Sequence, residues 1–587
     1  MFDVGNQQDR ERLHKAIKTS WSAVDTFRAV RTELVRDYVG SWYSTAGARR
    51  RTDVNMLNQT ARIYTMALVF NNPQVKVTSF NPKLWPFCRK YEVNINRGLA
   101  NIDFRTTFQA GVLDAFFLMG IFNVRMADSG FVELEDNVWV DPGKPWVDRI
   151  SLDDVILDMS AKDIRAMRFI GHQYRASYDA VRDRDDYDRK VLDRLTPTSK
   201  SGVDSSSDRA SEIAAGQAVD DDELGPMVWL KDVYLPGTRQ LTTFCGDDDA
   251  LPPLKVAEWD GSAMGPYKVL SLGIVPDNIM PSSPAQNLKG LHDLGNRLYR
   301  KLSAQAERQK NIVGVPAGSE DDGRKAKDAK DGEYPVFRDP KALVPISFPG
   351  VDGNTNAFFL AVQEVYNDQA GNQRMIGGLG KEADTVGQER IISSHAGGLI
   401  GFMKGAVNAC ASEICREYGN LMFDDEAMTV DSYMEAENTG YYMDSSWRPG
   451  DRAGLKSHYD FCVEPNSMSY RPPEAKLQQI MGYLQAVGTV FPLVQAGILD
   501  LQELTKLASE YENIPELQRI FKFIPQSAGE GMGDPHAATK PPVTSREIVR
   551  NNGAQGPQGG GMAAMFGQMM QGRGQGNGSG VTVGGGA

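Results

Sequence analysis

Two runs of aspartates are the residues of this chain best suited to chemistry: Asp220–Asp222 and Asp247–Asp249. Clustered carboxylates are ligands for divalent metal ions, and a metal held beside nucleic acid supports cleavage of its backbone. Both runs lie in polar stretches, however, and a solvated loop explains them without a metal. We therefore predict no metal site. A metal-dependent nucleic-acid-processing enzyme stays open as an alternative.

Signatures of other active sites are missing from the sequence. It has no Gly-x-x-x-x-Gly-Lys-Ser/Thr loop, no Gly-x-Ser-x-Gly elbow and no His-Glu-x-x-His motif. Cys410 and Cys415 share a predicted helix without nearby partner residues, so core thiols are expected there instead of metal ligands. His395 is expected to be a packed or surface histidine. We predict no catalytic residue, no cofactor and no enzymatic activity.

Net charge and cysteine content narrow the class of protein. The formal charge is -12, from 64 Lys and Arg against 76 Asp and Glu, and the basic residues are scattered. Tight general binding to nucleic acid needs clustered basic residues and is not expected, whereas loose contact with DNA is compatible with this charge. Five cysteines without paired spacing favour a reducing compartment, and the first residues lack the apolar core of a signal peptide. We expect a cytoplasmic location.

The longest apolar stretch, Phe108–Val124, is short for a membrane span and is interrupted by Asp114. We predict a buried helix around Phe116 and no contact with a membrane.

The elements that must position any site begin with a long amphipathic helix from Asp9 to Val39, which Gly40 ends. Its apolar residues recur at steps of three and four. Its polar sides carry basic residues, among them Arg28 and Arg31, interleaved with acidic ones. A solvated surface is the preferred interpretation of these sides, over contact with nucleic acid.

Further elements predict an α+β fold that is mainly helical. A helix is expected over 54–70, short strands at Val75–Val77 and Ile121–Met126, and a hairpin of Met227–Leu235 with Thr238–Phe244 across Pro236-Gly237. Thr196–Gly225 is rich in Ser, Asp, Ala and Gly, which predicts a mobile insertion. The Gly-rich tail beyond Pro525 is predicted to be disordered.

The middle of the chain combines two predicted helices around a non-helical insertion. Pro284 begins the first helix, whose leucines at 288, 291, 294, 298 and 302 form one narrow seam. A charged turn (Ser319–Tyr334) follows, with extended pieces near Tyr334–Phe337 and Leu343–Phe348. Asn356 is expected to cap the second helix, Ala357–Ile376. A Gly-rich loop then precedes a long third helix over about Thr385–Phe423.

This order of elements resembles the portal (head-to-tail connector) proteins of tailed double-stranded DNA bacteriophages. The resemblance implies a portal-like architecture of wing, stem, clip and crown. It divides the chain as follows: 1–283, N-terminal wing; 284–311, first stem helix; 312–356, clip; 357–376, second stem helix; 377–389, tunnel loop; 390–471, C-terminal wing with a long kinked helix; 472–525, crown; and 526–587, the disordered tail.

Membership of that family implies a ring of identical subunits, usually twelve, at one vertex of the capsid of a virion assembled in the bacterial cytoplasm. Double-stranded DNA would pass through the channel during packaging and ejection. The implied partners are the terminase large subunit, tail or adaptor proteins, and the major capsid and scaffolding proteins. A ring requires that one face of a subunit meets a different face of its neighbour. The acidic total would suit a channel that must not grip DNA.

The resemblance also assigns candidate site residues. Those of the tunnel loop are Gly377, Gly378, Leu379, Gly380, Lys381, Glu382 and Asp384. Candidates for the channel side of the first stem helix are Lys289, Arg297, Arg300 and Arg308. Candidates for binding a partner at the clip are Arg324, Lys325, Lys327 and Lys330. For each group an ordinary solvated surface is the alternative interpretation.

The leucine seam of the first stem helix is expected to supply contacts between subunits. The alternative is that it packs only inside its own subunit, because apolar periodicity does not identify the partner chain. Another minor capsid or adaptor protein stays open as a third class of function.

Overall fold

The computed structural model describes residues 3–40, 54–128, 132–135, 138–140, 143–197, 225–246, 249–339, 341, 343–348, 350–373, 386–425, 428–435, 442–448, 450–464, 467–468, 477, 480–487, 501, 504, 505 and 508. These residues all belong to one compact unit within 1–522. Residues 198–224 of the predicted insertion, about three quarters of the crown and the tail from 526 fall outside the described residues.

The helices are α1 (Gln7–Val39), α2 (Met56–Leu68), α3 (Trp85–Asn101), α4 (Phe104–Phe117), α5 (Tyr178–Arg182), α6 (Arg189–Leu192), α7 (Pro284–Arg308), α8 (Glu320–Asp328), α9 (Gly353–Gln369) and α10 (Val386–Asp424). Short 3-10 turns occur at Pro82–Leu84, Ile164–Ala166 and Lys456–His458.

The strands are β1 (Val75–Thr78), β2 (Gly120–Ala127), β3 (Val132–Glu135), β4 (Val138–Val140), β5 (Lys144–Ile150), β6 (Val155–Leu157), β7 (Ile170–Ser177), β8 (Met227–Leu235), β9 (Gln240–Cys245), β10 (Lys255–Glu258), β11 (Tyr267–Leu270), β12 (Lys310–Gly314), β13 (Val344–Phe348), β14 (Tyr433–Glu435), β15 (Tyr442–Asp444) and β16 (Asp460–Val463). The fold is therefore α+β, as the sequence predicted.

Antiparallel pairing builds every sheet. The largest has the order β10-β9-β8-β7-β6, and a three-stranded sheet has the order β11-β2-β5. The pairing of β8 with β9 confirms the predicted hairpin across Pro236-Gly237. Strand β1 pairs with β16, Val75 opposite Val463, so two segments far apart in sequence meet in one ribbon.

One large apolar core joins most helices. It contains the buried faces of α2, α3 and α4, the start of α7, the end of α9 and the second half of α10. Cys410 and Cys415 lie in it as free, buried thiols, which confirms their predicted place in the core. Burial raises the pKa of Cys415 well above its usual range, so this thiol stays protonated and unreactive.

Helix α1 confirms the predicted amphipathic helix, but Arg28 and Arg31 do not lie on a solvated side. Both are buried. Arg28 donates to the backbone oxygen of Leu152, just before β6, and to that of Val155, the first residue of β6. Arg31 is paired with Asp114 of α4 at 3.2 Å. The prediction failed because a periodic pattern cannot show which arginines meet partners from distant elements.

Asp114 explains the interrupted apolar stretch. The helix predicted around Phe116 forms as α4, and its Asp114 is buried against Arg31 of α1 and Arg149 of β5, the latter at 2.9 Å. Burial raises the pKa of this carboxyl, and the two guanidinium groups oppose that shift. The charge therefore ties three elements together. No helix among the described residues is long and apolar enough to cross a membrane.

Candidate functional site

The segment Pro284–Gln369 leaves the body as a helix, continues through a small ribbon and returns as a second helix. We call it the helix–ribbon–helix segment. Ser283 caps α7 by accepting a hydrogen bond from the Gln286 N–H at 3.1 Å, and Pro284 occupies the first turn, as predicted. At the far end β12 pairs with β13, Lys310 opposite Phe348.

The returning helix α9 begins and ends earlier than the predicted range of Ala357–Ile376. Asp352, not Asn356, is its cap, accepting from the Thr355 N–H at 3.0 Å. The helix ends at Gln369 because Gly371 and Asn372 adopt positive φ angles of 66° and 57°. An αL conformation after the last turn is a common helix stop, and asparagine tolerates it better than most residues.

The ribbon region differs from the prediction in two ways. The expected charged turn contains a helix, α8, with acidic residues in its first turn and basic residues in its last, an order that favours the helix dipole. Tyr334–Phe337 forms no strand; the partner of β13 is β12, which the sequence analysis did not predict. Gly314 is the last residue of that strand.

The leucine seam of α7 packs substantially within the chain. Leu288 belongs to the large core and Leu291 packs against it, while Leu302 is also buried. Helix α7 lies against α9, with the rings of Tyr299 and Phe359 5.7 Å apart. The seam therefore packs partly within its own chain, while Leu294 and Leu298 are only half-buried, and its contribution to contacts between subunits stays a prediction.

Helix α9, in contrast, is apolar on two faces. Phe359, Val362 and Tyr366 are buried against the chain. Phe358, 53% exposed, and Leu360, 55% exposed, flank this buried stripe on opposite sides, because residues two apart on a helix point about 200° apart. Large exposed apolar side chains of this kind cost free energy in water unless another surface covers them.

The predicted channel-side cations of α7 differ in their surroundings. Lys289 pairs with Asp37 at 2.7 Å and with Glu33 at 3.2 Å, both on α1. Burial lowers the pKa of Lys289, but these carboxylates outweigh it and raise the pKa above its usual range. Its charge is thus compensated within the chain, which weakens its case as a channel residue.

The other cations of α7 are more accessible. Arg300 is half-buried and donates to the Asn296 backbone oxygen at 3.2 Å. Arg297 and Arg308 are exposed and form no ion pair with any residue that the structure describes. The positive charge of these two arginines is therefore not compensated by an ion pair within the described part of the chain.

The four predicted clip cations are all exposed: Arg324, Lys325, Lys327 and Lys330. Lys325 donates to the Val336 backbone oxygen at 3.0 Å. Asp322, one turn earlier, is buried and accepts from the Arg338 N–H at 2.9 Å, which ties α8 to the following chain. The basic end of α8 is therefore held in a defined position.

The tunnel-loop candidates Gly377, Gly378, Leu379, Gly380, Lys381, Glu382 and Asp384 lie outside the described residues. The helix predicted after them forms as α10, within one residue of its expected bounds.

The alternative metal site finds no support in the described part of the chain. No group of three or more His, Cys, Asp or Glu residues there could hold a metal ion. Asp220–Asp222 and Asp247–Asp248 fall outside that part. Asp249 is paired with Lys231 at 3.2 Å and lies 3.2 Å from the His14 ring.

Sequence reasoning did not single out the residues that hold the base of the helix–ribbon–helix segment. Thr60 and Tyr64 of α2 contact α9 directly, and Asn296 of α7 accepts a hydrogen bond from the Val54 N–H at 2.8 Å. The sequence held one signal for these residues: Thr60 and Tyr64 carry hydroxyl groups and lie four apart on the apolar face of α2.

Comparison of the sequence with known protein families and with curated proteins gave no match in either case.

Proposed function

We propose that this chain is a portal protein: a subunit of a ring that forms a channel for DNA at one vertex of a bacteriophage capsid. The observation that carries the proposal is the pair of exposed apolar side chains, Phe358 and Leu360, on opposite flanks of α9 in a helix–ribbon–helix segment anchored at its base. Both flanks need a covering surface, and neighbouring copies of the same segment on either side would supply them.

The ribbon supports the same proposal. Its strands expose apolar side chains, among them Ile312, Val313, Val344 and Phe348. Strands β12 and β13 form an isolated pair, and a two-stranded ribbon is marginally stable alone in water. Neighbouring copies would cover this apolar surface and stabilise the pair. A ring therefore explains both exposed regions with one arrangement.

The proposal extends to partners. Within the ring, Arg297 and Arg308 would present positive charge to passing DNA, and the basic end of α8 would meet the terminase large subunit during packaging and tail or adaptor proteins afterwards. The major capsid and scaffolding proteins would surround the ring in the assembling particle. The chain itself would have no enzymatic activity and would function in the virion.

The test is the assembly state of the purified chain, measured by mass photometry and negative-stain electron microscopy. We expect rings with a central hole, in a mass range that includes a dodecamer. Phe358→Asp should abolish ring formation, because it places a charge in the proposed contact. Asn356→Asp introduces the same charge on an exposed residue of the same helix and should leave the rings intact. A monomer with divalent-dependent nuclease activity would overturn the proposal.

A further inference from the structure

Helix α2 contacts the last turn of α9 through a buried set of polar groups, which we call the α2 latch: Thr60 and Tyr64 of α2, with Tyr366, Ala370 and Gln373 at the end of α9. All five residues are buried. The Tyr64 hydroxyl donates to the Ala370 backbone oxygen at 2.5 Å. The Thr60 and Tyr366 hydroxyls lie 2.9 Å apart, and Thr60 also contacts the Gln373 side-chain oxygen.

The donors of the latch follow from hydrogen counting. A hydroxyl has one hydrogen, so Thr60 can donate to only one acceptor at a time. Its hydrogen goes either to the Gln373 side-chain oxygen or to the Met56 backbone oxygen, 2.9 Å away within α2, and in either case Tyr366 must be the donor to Thr60. Burial raises the pKa of Tyr64 to about 12, so its hydroxyl keeps its hydrogen under all ordinary conditions. Two hydrogen bonds, from Tyr366 to Thr60 and from Tyr64 to Ala370, then join α2 to the last turn of α9 and the residue after it.

Packing beside the end of α9 is incomplete. A cleft of about 180 Å³, partly open at the surface, lies beside the latch and is lined by Tyr64 and Ala370 together with Phe116, Leu288 and Met403. Unfilled volume removes the close contacts that would otherwise resist movement. The hydrogen bonds of the latch therefore carry more of the positioning here than they would in a filled core.

We infer that Thr60 and Tyr64 are positioning residues that hold the end of α9 and so set the point from which the chain continues toward residues 377–389. The consequence for a DNA channel rests on the proposed function. Only in a portal ring would the end of α9 set where the following segment enters the channel. The latch itself does not depend on a ring.

The test is hydrogen–deuterium exchange of the full chain, followed in peptides that cover residues 366–373. The reporting amides are those of Ala370, Gly371 and Asn372, which bond within this turn. Tyr64→Phe and Thr60→Val should each raise their exchange about tenfold, the effect of losing one buried hydrogen bond. Thr60→Ser keeps the hydroxyl and should restore slow exchange. Peptides over 353–360, at the other end of α9, should stay unchanged.

Two matched variants separate positioning from general loss of stability. Tyr91→Phe removes a buried tyrosine hydroxyl that donates to the Gly419 backbone oxygen of α10 and does not touch α9. Thr65→Val removes a hydroxyl that bonds only within α2, to Ala61. Neither should raise exchange over 366–373.

Equal exchange over 366–373 in Tyr64→Phe and the unaltered chain would overturn the latch, as would an increase of the same size in Tyr91→Phe. The ring assay decides the proposed function separately. Local opening in a chain that forms no rings would support the latch and reject the portal. Rings without local opening would support the portal and reject the latch.

Discussion

Replacing Glu417 by Gln tests how the long helix α10 is fixed to the body. The Lys268 ammonium on β11 lies 3.3 Å from the Glu417 carboxylate, and these side chains are only 3% and 1% exposed. Lys268 also donates to the Ser262 hydroxyl at 2.5 Å and to the Gly265 backbone oxygen at 2.8 Å. Burial lowers the pKa of Lys268, and the Glu417 charge opposes that shift.

The expected loss follows from leaving the ammonium without its counter-charge. Removing one partner of a buried ion pair typically costs about 3 to 5 kcal/mol of unfolding free energy. The two neutral acceptors of Lys268 remain, and hydrogen bonds to a charged group each retain part of the stabilisation. We therefore expect Glu417→Gln to lower the unfolding free energy by about 3 kcal/mol. The assay is urea denaturation followed by fluorescence, with every variant compared in the same assembly state.

Glu413→Gln is the matched control, because Glu413 is exposed one turn earlier on α10. It should change the unfolding free energy by less than about 0.5 kcal/mol. Replacing both partners, as Lys268→Met with Glu417→Met, should recover most of the loss, because no buried charge is then left unpaired. A loss in Glu417→Gln no larger than that in Glu413→Gln would refute the reasoning.

Three further predictions concern other parts of the chain. Gly261→Ala should destabilise the protein to a similar degree, measured by thermal denaturation, because a Cβ there would lie 1.9 Å from Oε1 of Glu417. Burial lowers the pKa of His172, so the unfolded chain binds more protons than the folded chain as the pH drops below about 6.5. The unfolding free energy should therefore fall over that range. His172→Gln should flatten the fall in a pH series of urea titrations. Reversing the charge of Arg324 and Lys327 should leave the melting temperature within about 1 °C and abolish binding of the terminase large subunit, measured by pull-down; unchanged binding would dismiss the clip as its docking surface.

The sequence predicted elements whose signals are local. The start of α7 was predictable because Ser283 and Pro284 act on the turn that they begin, and the β8–β9 hairpin because Pro236-Gly237 lies between two apolar strands. The α+β class followed from the mixture of such signals.

Features that depend on distant partners were not predictable from one sequence. Strand β12 was missed because the short apolar run of Ile312 and Val313 is too weak a local signal, and pairing with β13 stabilises the strand. The burial of Arg31 depends on Asp114, a residue of another helix. The latch required Thr60 and Tyr366 to meet across a long separation in sequence. In each case the missing information was a contact between residues far apart in sequence. The local sequence pattern alone was compatible with both a buried and an exposed environment.

The pairing of β1 with β16 has a consequence for synthesis on the ribosome. Val75 and Val463 are nearly four hundred positions apart in the chain. At a translation rate of about 5 to 20 residues per second, β1 waits about 20 to 80 s for its partner strand. During that time the unpaired edge of β1 is exposed to other nascent chains. Folding of the body is therefore completed late, after the entire helix–ribbon–helix segment has left the ribosome.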